Sequence, residues 1–154
     1  MKNLKIRAFC VLLLITTYCS AQNQNKIPIT EPNYNKPRLF NALPLRLPLN
    51  TGQVNAVISE KEGGSVDMNL SDQLIIKGTI ISISDKKTSD IKTVVIKSSN
   101  WPGCFLTLTT FNKGGETIYT GRILSREYGD AYEIQKQNGN YYLQKINLYD
   151  LLSE

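Results

Sequence analysis

Between Val66 and Ile146, short runs of alternating apolar and polar residues are broken at close intervals by turn residues. In extended chain, successive side chains point to opposite faces, so each run predicts a half-buried strand. Val66, Met68 and Leu70 alternate with Asp67 and Asn69. Leu74 to Ser84 reads as a longer strand whose apolar face changes parity, from Leu74/Ile76 to Ile81/Ile83, with Gly78 as the expected bulge or bend. Thr93 to Lys97 follows, and then Cys104, Leu106 and Leu108 alternate with Phe105, Thr107 and Thr109. Thr117 to Leu124, Ala131 to Gln137 and Asn140 to Ile146 complete the series. The separators are Gly63-Gly64, Asp85 to Asp90, Asn100-Trp101-Pro102-Gly103, Gly114-Gly115, Tyr128-Gly129-Asp130 and Asn138-Gly139. Asn138-Gly139 is the clearest hairpin signal, because a type I′ turn needs positive φ at both central residues. About seven strands joined in this way predict an all-β fold, a single antiparallel meander that closes as a small barrel or a sandwich.

The flanking segments differ. Residues 1–21 carry Lys2, Lys5 and Arg7, an apolar run from Ala8 to Ile15, and a small-residue junction at Cys19-Ser20-Ala21. That is the anatomy of a signal peptide cleaved near Ala21, and it predicts export to the periplasm or beyond. Tyr18 before Cys19 argues against lipoprotein processing. The apolar run is too short to span a bilayer, and no later stretch is longer, so no transmembrane segment is expected in the mature chain.

Residues 22–52 hold five of the six prolines and read as an extended arm or linker. Within it Leu43, Leu45, Leu47 and Leu49 alternate with Pro44, Arg46 and Pro48, which puts four leucines on one face of an edge strand. They either cover the chain's own core or dock a partner. Gln53 to Glu62 is ambiguous, since Val54, Val57 and Ile58 also fit helical spacing. Residues 53–154 are then the β domain, ending in one helical turn at Leu148 to Leu152.

Removing residues 1–21 also changes the composition. The 18 basic and 13 acidic residues become 15 against 13, so the net charge falls from +5 to +2. No nucleic-acid partner is expected from so weak a field. Cys104 is left as the one cysteine, which excludes an internal disulfide, and its alternating apolar position reads as core rather than nucleophile. The chain has no histidine, which removes His-based general bases and the usual zinc sets. No metal or cofactor is expected. Acid pairs at Glu60/Glu62, Asp67/Asp72, Asp85/Asp90 and Glu127/Asp130 sit in or beside turns, where acids serve turn chemistry; a carboxylate-dependent hydrolase would need two of them to converge.

Six of the eight tyrosines fall at or after Tyr119, interleaved with basic residues. A binding face built from Tyr119, Tyr132, Tyr141, Tyr142, Arg122 and Lys145 would suit a protein or a surface glycan. Cross-strand aromatic pairing is the alternative use of the same residues.

Five landmarks, Gly78-Thr79-Ile80, Pro102-Gly103-Cys104-Phe105, Gly121-Arg122-Ile123, Ala131-Tyr132-Glu133 and Gly139-Asn140-Tyr141-Tyr142-Leu143, give the last hundred residues a resemblance. The region resembles small exported β-domains of Gram-negative bacteria and the modules that precede the catalytic domain of secreted zinc metalloproteases. The resemblance implies a non-enzymatic accessory module, or a propeptide-like regulator or inhibitor of a secreted metalloprotease. It assigns no functional residue.

Overall fold

A computed structural model describes residues 35–86 and 90–149. The signal-like segment, the first part of the arm, the centre of the Asp85–Asp90 turn and the expected C-terminal helical turn beyond Tyr149 lie outside those residues. Eight strands are described: β1 (Arg46–Pro48), β2 (Ser65–Ser71), β3 (Leu74–Lys86), β4 (Ile91–Ser98), β5 (Cys104–Lys113), β6 (Glu116–Ser125), β7 (Asp130–Gln137) and β8 (Asn140–Asn147). One helix, α1 (Thr51–Ile58), lies between β1 and β2. All pairings are antiparallel, and the order across the sheet is β1-β8-β7-β6-β5-β4-β3-β2. The meander is as expected from the alternation, with β1 added beside β8. Its closure is not: the sheet curls into a half-barrel, with β1 and β2 at its two ends.

The ambiguous stretch forms α1. Asn50 caps α1, its side chain accepting from the Gln53 amide at 3.2 Å. Val54, Val57 and Ile58 then share one buried helix face, packed against β2, β4 and β5. The Asn50 N–H donates to the Leu70 carbonyl at 2.8 Å, tying the β1 side to the β2 side across the seam. β1 therefore lies within the segment expected as an arm, yet it is a strand of the main sheet.

The core is the inner face of the sheet. Met68, Leu74, Ile76, Val94, Ile96 and Leu108 are fully buried there, at the alternating positions expected. Two glycines let the sheet curl. A Cβ on Gly78 would lie 2.2 Å from the Lys97 carbonyl oxygen, and one on Gly121 would lie 2.3 Å from that of Thr107. Each marks a corner where a strand presses onto its neighbour's backbone.

Of the two expectations for Gly78, the close approach fits the bend, and the bulge lies elsewhere. The register of β3 on β4 shifts between Ile80 and Ser82, so Ile81 is the extra residue and is 43% exposed. That single insertion makes the parity change seen in the sequence. Gly63-Gly64 is not a hairpin either. It joins α1 to β2, with the Gly63 N–H and the Gly64 carbonyl both bonded to Ile80. The β2–β3 link is the polar Asp72-Gln73 step. Asn138 and Gly139 have φ of 51° and 80°, as the type I′ expectation requires.

Candidate functional site

The structure divides the expected binding face among three places. Tyr132 and Lys145 lie on the inner side and clamp residues 39–44. Tyr132 is fully buried, its ring centroid 5.1 Å from that of Phe40, and its hydroxyl donates to the Pro44 carbonyl. The Lys145 ammonium donates to the carbonyls of Phe40 and Leu43. Asp130, itself buried, accepts the Leu39 and Phe40 amides at 2.6 and 2.9 Å. One acid collects the amides of this segment and one base collects its carbonyls, so the loop is held from both polarities. Tyr132 and Lys145 therefore hold residues 39–44 against the sheet. A ring with no exposed surface cannot stack on a ligand.

The leucines of the same segment mostly cover their own core. Leu47 is buried and Leu43 and Leu49 pack half-buried against it, whereas Leu45 is 71% exposed. Leu45 precedes β1, where its carbonyl accepts the Lys145 amide, and it falls off the shared face. A partner-docking arm made of all four leucines is replaced by an edge strand docked on its own sheet.

Tyr142 occupies a second place, on the opposite face from Tyr141. The Arg46 guanidinium sits 4.1 Å from its ring centroid, within cation–π range. The third place holds Tyr119, Tyr141 and Arg122, and it is here that the sheet departs from regular pairing.

β6 pairs with β5 over ten residue pairs, but with β7 over only three, Arg122↔Glu133 to Leu124↔Ala131. The cause can be read from two ion pairs. Arg122 meets Glu133 at 2.7 Å, and Lys136 meets Glu116. Between those two bridges β6 advances six residues and β7 three. β6 follows β5 around the corner at Gly121 and bows away from β7. On the inner side, Ile134 and Tyr141 fill the parting. The Ile134 Cδ1 lies 3.1 Å from where a Gly121 Cβ would stand. The Tyr141 hydroxyl accepts from the Tyr119 amide at 3.4 Å and donates to the Thr117 carbonyl at 3.5 Å. Tyr141 also packs edge-on against Tyr119, with ring centroids 5.0 Å apart, and the Tyr119 hydroxyl donates to Asn55 of α1.

On the outer side the same parting is a groove of about 440 Å³, lined by Thr107, Thr109, Thr120, Arg122, Glu133 and Leu124, with Gly121 and Ile134. A second hollow of about 300 Å³ lies between Pro48 and the β7–β8 turn, and includes Tyr141 and Tyr142. The groove combines three hydroxyls, a cross-strand ion pair and two apolar side chains, a mixture suited to orienting a ligand. The two charged residues of its lining, Arg122 and Glu133, are paired with each other. The hydrogen bond from Lys136 to Glu116 holds that ammonium above the usual lysine range. Of the groove residues, sequence reasoning singled out only Arg122. The available signal was Gly121, an isolated glycine inside a strand pattern.

The acid pairs do not share this groove. Glu60, Glu62, Asp67, Asp72, Asp85, Asp90 and Glu127 are exposed, and Asp67 is bridged to Lys77 at 3.0 Å. Among the described residues, no group of three or more His, Cys, Asp or Glu could hold a metal ion.

Cys104 is 1% exposed and begins β5 on the core face. Burial pushes its thiol up to about 12, opposed by a hydrogen bond from the Phe105 backbone and aided by the Asp130 charge. Burial and then Asp130 raise Tyr132 likewise, to about 12. Both groups are neutral in either state below their ordinary values of 9.0 and 10.0. Above those values the unfolded chain releases protons that the folded chain retains. Stability is therefore lost as pH rises from 9 toward 12. The melting temperature is expected to fall across this window, and to fall less steeply in Cys104→Ala. Equal slopes in the two proteins would remove Cys104 from the explanation.

No protein-family model, curated protein or solved structure matches the chain. The site is therefore argued from its own geometry. Among the described residues no helix is long and apolar enough to cross a membrane.

Proposed function

We propose that the chain is an exported, non-catalytic binding or accessory protein, and that its ligand lies in the outer groove where β6 and β7 part. Export rests on the charged, apolar and small-residue pattern of residues 1–21. The observation that carries the binding reading is the parting itself. A ten-residue strand that keeps three pairs on one side, bracketed by two ion pairs, is a built opening and not a frayed edge. Its volume falls within the ~300–1,000 Å³ typical of ligand sites. The ligand classes that fit threonines, one ion pair and a short apolar floor are a protein segment and a surface glycan.

Thr120 is exposed and lines the groove, so Thr120→Lys fills the opening with little effect on folding, within about 0.5 kcal/mol. The Arg122–Glu133 pair is partly solvated, so Arg122→Ala changes stability by less than about 1 kcal/mol. The protein is to be assayed on arrays of linear peptides and bacterial surface glycans. Wild type is expected to retain members of one class, and Thr120→Lys to weaken that binding about tenfold, a difference of ~1.4 kcal/mol. Retention of neither class, or equal binding by wild type and Thr120→Lys, defeats the reading.

A further inference from the structure

We infer that the ligand of this groove is an extended polypeptide segment, uncharged at its centre, which adds to β6 as a strand and displaces the Tyr141 hydroxyl. The inference rests on the reading of the β6–β7 parting as the binding site, and names its ligand class.

Along the bowed part of β6, the strand has partners in β5 on one side but no register partner in β7 on the other. There the Tyr119 amide and the Thr117 carbonyl meet a side chain, the Tyr141 hydroxyl, which receives one and donates to the other. A single hydroxyl thus takes the donor and acceptor roles that a neighbouring peptide group would fill. At 3.4 and 3.5 Å both contacts are longer than ordinary hydrogen bonds, so a better-aligned partner replaces them with a gain. Strand addition to backbone without a strand neighbour is a recurring mode of peptide recognition, with affinity from main-chain bonds and selectivity from alternate side chains.

The walls suit a main chain more than a sugar. Gly121 lines the opening without a side chain, and no aromatic ring lines the groove to form a stacking platform. The six residue steps of β6 between the bridges span ~20 Å at about 3.3 Å per residue, which matches a segment of about six residues. A segment in the groove meets Ile134 and Leu124 as its apolar contacts and Thr107, Thr109 and Thr120 as its polar ones. Arg122 and Glu133, the charged residues of the lining, satisfy each other, so the groove offers no unpaired charge for a central charged residue.

The test uses linear heptapeptides selected from a displayed library on the immobilised full chain. The tightest peptide is then made in two forms, with backbone N-methyl groups on alternate residues in either register. Strand addition predicts that one register weakens binding at least tenfold and the other less than threefold. Tyr141→Phe, which keeps the ring and removes the competing hydroxyl, is expected to tighten binding about fivefold, the equivalent of about one hydrogen bond. Equal sensitivity of both registers overturns the inference, as does a Tyr141→Phe protein that binds no more tightly. If no heptapeptide is selected while glycans are held and Thr120→Lys loses them, strand addition fails and the groove remains a binding site. If Thr120→Lys alters nothing, the site itself is wrong.

Discussion

Tyr132→Ala is expected to lose a large part of the stability of this protein, about 4 kcal/mol in urea unfolding at 25 °C. Truncating a fully buried aromatic costs about 3–5 kcal/mol, from lost transfer free energy and from the cavity left behind. A domain of this size is stable by only about 5–15 kcal/mol, so the variant should be close to unfolding at physiological temperature. The ring is one of three in contact. Phe40 lies 5.1 Å from Tyr132 and 5.3 Å from Trp101, centroid to centroid. Phe40 is held from the other side by Asp130 and Lys145, so removing the Tyr132 ring loosens a segment that joins the chain's early residues to β7 and β8. Tyr132→Phe separates the two contributions. It keeps the ring and deletes the bond to the Pro44 carbonyl, for a loss of about 1 kcal/mol. A loss below about 1 kcal/mol for Tyr132→Ala would show that the ring is not packed in the core. It would also restore this residue to the binding surface.

The same residue shows where sequence reasoning reached and where it stopped. Period-two alternation identified β5 and its buried face, because a strand covered on one side writes its environment into every second residue. It also placed the β7–β8 turn, where Asn138 and Gly139 must take positive φ. It could have divided the tyrosines further. Adjacent residues of a strand face opposite ways, so Tyr141 and Tyr142 could never share a surface. Burial at Tyr132 was beyond reach, because it depends on Phe40 folding back from about ninety residues away. The half-barrel was hidden for a similar reason. α1 packs on the inner face of that curled sheet, and its eight residues are too few for the spacing of Val54, Val57 and Ile58 to announce it. The groove was hidden most deeply. It is made by a difference in path between β6 and β7, and path is set by how β6 packs on β5, which no alternation records. Gly121 was the one local trace.

Gly121→Ala is accordingly expected to cost about 2–3 kcal/mol and to alter the groove as well. A Cβ here would stand 2.3 Å from the Thr107 oxygen, 3.1 Å from Ile134 Cδ1 and 3.3 Å from the Leu108 Cα. The first and last of these are backbone atoms held by the pairs Thr107↔Arg122 and Thr109↔Thr120 on either side, so they cannot swing aside. Relief requires β6 to lift from β5. Overpacking of this kind costs about 1–3 kcal/mol and sometimes more. It is offset only in part by the ~0.4–1 kcal/mol that alanine contributes through a less flexible unfolded chain. Gly78→Ala meets the Lys97 oxygen at 2.2 Å and should be destabilised to a similar degree, but at the β3–β4 corner, where no groove residue lies. The pair of variants therefore separates stability from site geometry. Both should unfold at lower urea, and Gly121→Ala alone should change ligand binding measured below its unfolding midpoint. A Gly121→Ala protein within about 0.5 kcal/mol of wild type would mean that β6 does not press on β5 at this corner. Equal effects of the two variants on binding would mean that the corner does not shape the groove. Gly121 both sits tight against β5 and lines the groove, so one substitution tests the corner and the opening together.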